Sequence, residues 1–268
     1  MIPAKFDYTK PGSVGEAVRA LADGGEDAKV IAGGQSLLPL LRLRLSFPDL
    51  LVDVGGLGEL RGVRDEGETL WIGALTTIDE AAGDPVIAQH CGLIGQTAAL
   101  IADPAGDLPA VAAALDATLI ARGPGGERSI GAGEFFLDYL TTALAPGEIL
   151  TGVRVPKLGP GWGYRYEKFH LTAQAWAIVG VAAVARRSDG QVAEARIGLT
   201  NMGLVPVRAQ AAEQAVAGAE ASTQALRAAA ERADEGTQPP SDLHGGSDYR
   251  RHLARVLTAR ALAVASGV

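Results

Sequence analysis

The stretch KVIAGGQSLLP, residues 29–39, decides the fold of the first part of the chain. It opens with a short apolar run between glycines, the pattern of a buried strand. Gly33 and Gly34 end that run, and a leucine-rich segment follows. Ser36 can cap this segment as a helix, and Pro39 then falls in the first turn, where a missing N–H is tolerated. The stretch therefore predicts a strand, a glycine turn and a helix.

The glycine turn is a candidate anion site. Glycines allow positive φ and a close approach of the backbone to a bulky ligand. The helix that follows presents unpaired N–H groups and the positive end of its dipole, which together suit a phosphate or pyrophosphate. A plain tight turn between strand and helix is the alternative. The spacing is neither G-x-G-x-x-G nor G-x-x-x-x-G-K-[ST], which disfavours a Rossmann dinucleotide site and a P-loop.

The residues around this stretch extend it to a small α/β unit of about residues 1–57. Ser13 and Glu16 form a capping-box pattern that opens a helix over residues 14–22. Residues 50–54, LLVDV, form a second strand. The order is helix, strand, turn, helix, strand.

A larger α+β subdomain follows over residues 58–160. Strands are expected at residues 70–74, 117–121, 129–130 and 149–155. Helices are expected after the capping pair Thr77 and Glu80, from residue 84 to residue 101, and from residue 107 to residue 115.

A Gly/Pro connector at residues 157–163 marks the expected domain boundary, near residue 160. Beyond it, residues 161–268 predict an α+β domain with an antiparallel sheet. Asp189-Gly190 between two apolar runs is a strong hairpin signal. The elements expected here are strands at residues 164–169, 178–185 and 193–200, and helices at about residues 208–217, 222–233 and 247–265. The whole chain is therefore expected to be α+β.

Composition excludes several classes of function. The net charge of -7, without a basic patch, argues against a nucleic-acid surface. A single cysteine, Cys91, cannot form a disulfide within the chain or hold an iron–sulfur cluster, and we expect it to be a small buried hydrophobic residue. The four histidines lack metal-ligand spacing, so no metal site is expected. With neither a signal pattern nor a membrane span in the sequence, we expect a cytoplasmic protein.

Five motifs, in order along nearly the whole chain, resemble the flavin-binding medium subunit of the carbon monoxide dehydrogenase and xanthine dehydrogenase family. They are AGGQSLLPLLRLRL with LLVDV and WIGALTT, then ADPAGDLPAV, APGEILTGVRVP, YEKFHLTAQAWAIVGVAA, and PPSDLHGGSDYRRHLARVLTARAL. The resemblance implies a two-part FAD domain of the vanillyl-alcohol oxidase and p-cresol methylhydroxylase type. It also implies a C-terminal domain of the flavoprotein subunit.

The resemblance also implies which residues hold FAD. The pyrophosphate would be bound by the backbone of Ala32, Gly33, Gly34, Gln35, Ser36 and Leu37. Asp107 would accept hydrogen bonds from hydroxyls of the flavin's ribityl chain or the part next to it, Leu150 would touch the flavin, and Lys168 would lie near the ring. Each has an alternative reading: a helix N-cap for Asp107, a core residue for Leu150, and a solvated strand charge for Lys168. No catalytic acid or base is assigned.

One departure from the family pattern is evident. Family members carry a second glycine-rich loop, of the pattern Thr-Ile-Gly-Gly, before the segment that contains Asp107. Here residues 99–104, ALIADP, run directly into AGDLPAV. A true deletion, a segment missing from this sequence, or a relative with weak or no flavin binding would each explain it.

The family implies electron transfer within a complex. A molybdenum-binding large subunit would oxidise the substrate, and a small subunit would pass electrons through [2Fe-2S] clusters to FAD. FAD would reduce quinone, NAD or oxygen, in a complex expected to be a dimer of heterotrimers. A flavin-free scaffold that docks the two partners is the alternative, and an independent flavoenzyme is a third possibility.

Overall fold

The computed structural model describes residues 3–101, 106–172 and 175–268, in which helices and mainly antiparallel sheets confirm the α+β class. The junction of the absent loop, residues 102–105, lies outside this part. In the described part no helix is long and apolar enough to cross a membrane.

The N-terminal unit is a three-stranded parallel sheet in the order β1-β3-β2. Its elements are β1 (Asp7–Thr9), α1 (Val14–Gly24), β2 (Ala28–Ile31), α2 (Leu37–Leu43) and β3 (Leu50–Asp53). The predicted helices and strands of this unit are confirmed, and β1 is an additional strand. Its three residues are mostly exposed, so they carry no apolar pattern that could have predicted it.

The cap of α1 is half of the predicted capping box. The Ser13 hydroxyl accepts the N–H of Glu16 at 3.2 Å. The Glu16 carboxylate accepts the N–H of Gly12 at 2.8 Å instead of that of Ser13. The helix is therefore capped by Ser13, and Glu16 binds the backbone N–H one residue before the one that a capping box predicts.

The second unit is a five-stranded sheet in the order β4-β5-β10-β6-β7, antiparallel at every step. Its strands are β4 (Val63–Asp65), β5 (Thr69–Gly73), β6 (Thr118–Gly123), β7 (Gly126–Gly131) and β10 (Ile149–Pro156), and β8 (Phe136–Asp138) pairs separately with β9 (Thr141–Thr142). Its helices are α3 (Ile78–Gly83), α4 (Pro85–His90), α5 (Gly92–Ala98), α6 (Asp107–Ala114) and α7 (Ala132–Phe135).

The single long helix predicted from residue 84 to residue 101 is wrong, because the chain breaks at Cys91 between α4 and α5. Cys91 has φ -145° and ψ 48°, outside the helical region. The carbonyl of His90 accepts the N–H of Leu158 at 2.9 Å, a partner from beyond β10. The N–H of Leu158, just after β10, thus takes the place of a helical hydrogen bond to His90. Gly92 has a low helix propensity, so a break in the helix here costs little.

The C-terminal unit is an antiparallel sheet in the order β11-β12-β13-β14 with helices packed on it, as predicted. Its elements are β11 (Trp162–Phe169), β12 (Val179–Ser188), β13 (Gln191–Thr200), β14 (Val207–Arg208), α8 (Gln210–Val216), α9 (Thr223–Ala230) and α10 (Ser247–Ala265). Asp189 and Gly190 both have positive φ, 52° and 78°, as the predicted hairpin turn requires.

The C-terminal sheet packs against α10 and also against α6 of the second unit. A Cβ on Gly198 would lie 2.0 Å from the carbonyl oxygen of Ala110, so the α6 backbone rests directly on β13. Tyr166, Ala182 and Val184 of the sheet belong to the core of the second unit. The division into residues 1–57, 58–160 and 161–268 stays a prediction, with a core that crosses its second boundary.

Cys91 provides a test of this shared core. Its side chain is fully buried, and burial raises the pKa of the thiol to about 11. Because the pKa is raised, the thiol stays protonated at about pH 8, where an ordinary cysteine would partly ionise. We expect dithionitrobenzoate to label native protein at least ~100-fold more slowly than protein in guanidinium, since labelling requires opening of the core. Equal rates in the two states would contradict this packing.

Candidate FAD-binding cleft

A cleft of about 630 Å³ lies between the N-terminal unit and the turn after β5. Its volume falls in the range of small-molecule and cofactor sites, about 300–1,000 Å³. It is lined by Ala32, Gly33, Gln35, Gly55, Arg61, Ala74, Leu75, Thr76, Thr77, Ile78, Asp79 and Ile101. The predicted glycine turn thus forms one wall, and residues that were not assigned to the site form the others, from residues 55–61, residues 74–79 and Ile101.

The glycine turn has the positive φ that the sequence predicts, and it packs closely on the first turn of α2. Gly34 has φ +78°, and a Cβ there would lie 2.7 Å from Leu38 Cδ1. The carbonyl of Gly34 accepts the N–H of Leu38 at 2.9 Å, which closes the turn into α2. Ser36 precedes the helix with helical φ and ψ and no side-chain cap hydrogen bond, so the predicted Ser36 cap is wrong. The backbone hydrogen bond from Leu38 closes the turn instead.

The predicted loop residues occupy different places around the cleft. Ala32, Gly33 and Gln35 line it, and Gly34 lines a neighbouring hollow of about 230 Å³. Ser36 precedes α2, Leu37 is its first residue, and Pro39 lies in the first turn of that helix, as predicted.

Gly55 forms the facing backbone wall, and Asp53 fixes it. Asp53 Oδ1 accepts the N–H of Gly55 at 2.8 Å, while Oδ2 accepts the hydroxyl of Tyr8. The hydrogen bond from Tyr8 is the main cause that lowers the pKa of Asp53. The carboxylate is therefore charged over a wide pH range and keeps Gly55 beside the cleft.

Arg61 is a cation at the edge of the cleft. Its Nη2 donates to the carbonyl of Gly55 at 3.3 Å, and its Nη1 lies 3.9 Å from Glu80 Oε1. Glu80 Oε2 accepts the N–H of Thr77 at 2.7 Å in a capping box, as predicted, and this hydrogen bond is the main cause that lowers the pKa of Glu80. Since that carboxylate is committed mainly to the cap and the ion pair is long, the guanidinium can also bind an anion.

A second polar cluster lies behind Ile101. Asp107 Oδ2 lies 2.8 Å from Lys168 Nζ, and their side chains are 2% and 6% exposed. Asp107 Oδ1 accepts the hydroxyl of Tyr166 at 2.5 Å. Lys168 Nζ also donates to the carbonyl of Leu100 at 3.4 Å, and Leu100 is next to Ile101 in the cleft wall. The cluster is therefore within two residues of the cleft.

Two alternatives for this cluster are wrong. Asp107 is the first residue of α6, and Gly106, with φ +51°, takes the N-cap position without any side-chain cap. Lys168 is buried in an ion pair, so it is not a solvated strand charge. A lysine is almost never buried without a partner, and Asp107 supplies that partner across 61 residues of chain.

Leu150 lies on β10 and is not one of the residues that line the cleft. It is half-buried against the core of the second unit, which agrees with the core alternative. The next residue, Thr151, accepts the N–H of Ala74, a cleft residue, through its carbonyl at 3.1 Å. Contact between Leu150 and a flavin stays a prediction.

Sequence reasoning assigned no site role to Gly55, Arg61, Thr76 and Thr77. Two signals were available: Gly55 and Gly56 follow LLVDV as a second strand–Gly–Gly pattern, and WIGALTT ends in the two threonines. Arg61 carries no local signal, because only the fold brings it to Gly55.

Two family descriptions match the chain. "FAD binding domain in molybdopterin dehydrogenase" matches residues 4–105 and 99–158, and "CO dehydrogenase flavoprotein C-terminal domain" matches residues 164–265. Residues 99–105 are counted in both parts of the first match. This overlap falls on the segment that lacks the second glycine-rich loop.

Relatives match over nearly their whole length. The carbon monoxide dehydrogenase medium chain of Hydrogenophaga pseudoflava is 37% identical over 279 residues, which span 98% of this chain and 97% of the relative. A putative xanthine dehydrogenase FAD-binding subunit of Escherichia coli K12 is 26% identical, over 96% of this chain and 95% of the relative. Since 279 aligned positions exceed the 268 residues here by 11, the first relative has at least 11 positions without a counterpart.

Solved structures share the fold throughout. Carbon monoxide dehydrogenase from Hydrogenophaga pseudoflava, lacking the Mo-pyranopterin moiety of its cofactor, matches with a TM-score of 0.95 and 39% identity, over 100% of this chain and 99% of that one. Quinoline 2-oxidoreductase from Pseudomonas putida 86 matches with a TM-score of 0.93 and 31% identity, over the same shares of the two chains. The chain therefore belongs to the family of FAD-binding medium subunits of the molybdenum hydroxylases.

Proposed function

We propose that this chain holds FAD in the cleft and passes electrons from the iron–sulfur clusters of a partner subunit to quinone, NAD or oxygen. The observation that carries the proposal is the cleft itself, where the Gly33–Gly34 turn and Arg61 meet in a chain of this family. FAD supplies the redox chemistry when it is bound, and the residues of the chain grip and orient it. The membership of the family does not favour a flavin-free scaffold.

The residues fit an elongated dianionic cofactor. Gly33 brings bare backbone to one wall of the cleft, and Arg61, which donates to the carbonyl of Gly55, adds a positive charge at the facing wall. Backbone N–H groups and a guanidinium are the groups that bind pyrophosphate oxygens well. With the second glycine-rich loop absent, Arg61 would supply the contact opposite the first loop.

The buried cluster would serve the other end of the cofactor. Asp107 is a strong acceptor for sugar-like hydroxyls, and the ammonium of Lys168 can stabilise negative charge on a reduced flavin. Leu150 would contribute apolar contact with the ring. These roles for Asp107, Leu150 and Lys168 are proposals that the family resemblance supports.

The partners follow from what this chain lacks. One cysteine cannot ligate an iron–sulfur cluster, so the clusters belong to a small partner and the molybdenum cofactor to a large one. We propose a dimer of such heterotrimers. We also propose a cytoplasmic location, because a single free thiol suits a reducing compartment.

Co-expression of this chain with the large and small subunits tests the function directly. We expect the purified complex to carry one FAD per copy of this chain, together with molybdenum and iron. The substrate of the complex, added without dithionite, should reduce the flavin and bleach its absorption. A complex that is colourless in the flavin bands and takes up no added FAD would overturn the proposal.

Substitution of Gly34 by alanine tests the pyrophosphate loop. The new Cβ would displace Leu38 and the turn, so we expect FAD affinity to fall about tenfold or more, the loss of one or two charge-assisted hydrogen bonds. Gly67→Ala is the matched control, because Gly67 has φ +84° and open space around its Cβ. Both variants carry a similar backbone strain. FAD fluorescence titration gives the affinities, and protection of Cys91 reports folding. Equal affinities in the two variants would contradict the assignment.

Substitution of Arg61 by glutamine tests the cation. The change removes a charge but keeps a polar side chain, so we expect about tenfold weaker FAD binding and a smaller salt dependence of the affinity. Arg19→Gln, on the exposed side of α1 and away from the cleft lining, should match the unaltered chain. If Arg61→Gln binds FAD with unaltered affinity and salt dependence, Arg61 does not contact the pyrophosphate.

A further inference from the structure

Tyr166, on β11, is held at both ends inside the core. Its backbone N–H donates to Gln96 Oε1 of α5 at 2.7 Å. Its hydroxyl donates to Asp107 Oδ1 at 2.5 Å, and its side chain is 2% exposed. A tyrosine fixed at backbone and hydroxyl has no freedom to turn away, so its hydroxyl is a permanent donor to Asp107.

Gly180, on the neighbouring strand β12, makes room for that hydroxyl. A Cβ on Gly180 would lie 2.3 Å from Tyr166 Oη and 3.2 Å from Thr200 Cβ. Thr200 in turn donates its hydroxyl to the carbonyl of Gly106 at 3.2 Å. Gly106 is the residue before Asp107, so the same pocket fixes both the carboxylate and the backbone beside it.

The hydroxyl stays a donor because it cannot ionise near neutral pH. Burial is the main cause that raises the pKa of Tyr166 well above its usual range, and the negative charge of Asp107 adds to it. The two oxygens of the Asp107 carboxylate have different partners, because Oδ1 binds Tyr166 and Oδ2 binds Lys168. The position of the Lys168 ammonium depends on where Tyr166 holds the carboxylate.

We infer that Tyr166 is a positioning residue for the flavin site, one that fixes Asp107 and, through it, the Lys168 ammonium. The inference rests on the proposed function, in which Asp107 and Lys168 meet the flavin. Without the Tyr166 hydroxyl, the Asp107 carboxylate bears more negative charge and neutralises Lys168 more fully. A reduced, anionic flavin then loses stabilisation, whereas oxidised flavin loses less.

Tyr166→Phe in this chain tests the inference. We expect the affinity for reduced FAD to fall about tenfold relative to oxidised FAD, equal to a midpoint potential about 30 mV more negative for a two-electron couple. Tyr164→Phe is the matched control on the same strand, because its hydroxyl lies over Gly92 and not at Asp107. It should leave the potential unchanged.

Gly180→Ala reaches the same hydroxyl from the other side. Its Cβ should displace the Tyr166 ring and lower the potential in the same direction. The double variant Gly180→Ala with Tyr166→Phe should shift no further than Tyr166→Phe alone, since the hydroxyl is already absent. Protection of Cys91 from thiol labelling shows which variants fold, so a misfolded Tyr166→Phe leaves Gly180→Ala as the deciding measurement.

The measurements on the unaltered chain and the variants separate the proposed function from the role of Tyr166. If neither the unaltered chain nor its complex with the two partner subunits binds FAD, the proposed function fails, and this inference fails with it. If the unaltered chain binds FAD but folded Tyr166→Phe and Gly180→Ala both keep its potential, only the role of Tyr166 is overturned. A shift in Tyr164→Phe equal to that in Tyr166→Phe would likewise overturn it, because the effect would not depend on Asp107.

Discussion

The buried carboxylate of Asp107 joins the second unit to the C-terminal unit. It begins α6 of the second unit and binds Lys168 and Tyr166 of the first strand of the C-terminal sheet. Removing one partner of a buried ion pair costs about 3–5 kcal/mol, because the remaining charge is left without compensation. That constraint fixes the start of α6, and the contact of α6 with Gly198 then fixes the sheet beneath it. Lys168 links this cluster to the cleft, because it donates to the carbonyl of Leu100, the residue before Ile101 of the cleft wall.

The near end of the cleft depends on backbone geometry more than on charge. Gly33 and Gly55 bring the main chain to the cleft without side chains, and Asp53 and Tyr8 hold Gly55 in place. The chain as a whole is acidic, with a net charge of -7, so a dianionic cofactor needs local compensation. In the proposed binding mode, Arg61 and the loop backbone would supply it over a short distance, where bulk charge matters less than direct hydrogen bonds.

The sequence predicted those elements whose signal lies within a few residues of the element itself. The dipeptide Asp189-Gly190 predicted the hairpin turn. Helix caps and the spacing of apolar residues predicted the unit around the glycine turn and the long helix α10. The break at Cys91 was not predicted, because its cause is the N–H of Leu158, 67 residues away from Cys91 by number. The same holds for the site. Its glycine loop was predicted, whereas Arg61, Tyr166 and the burial of Lys168 depend on contacts that only the folded chain creates.

The most direct test of the cleft assignment is hydrogen–deuterium exchange of this chain with and without FAD. The account predicts slower exchange on FAD binding in two separate peptides, one that contains Gly33 to Gln35 and one that contains Ala74 to Asp79, the two walls of the cleft. The turn at Gly67, outside the lining, should exchange at the same rate in both states. FAD binding that slows neither wall, or slows only residues elsewhere, would contradict the account.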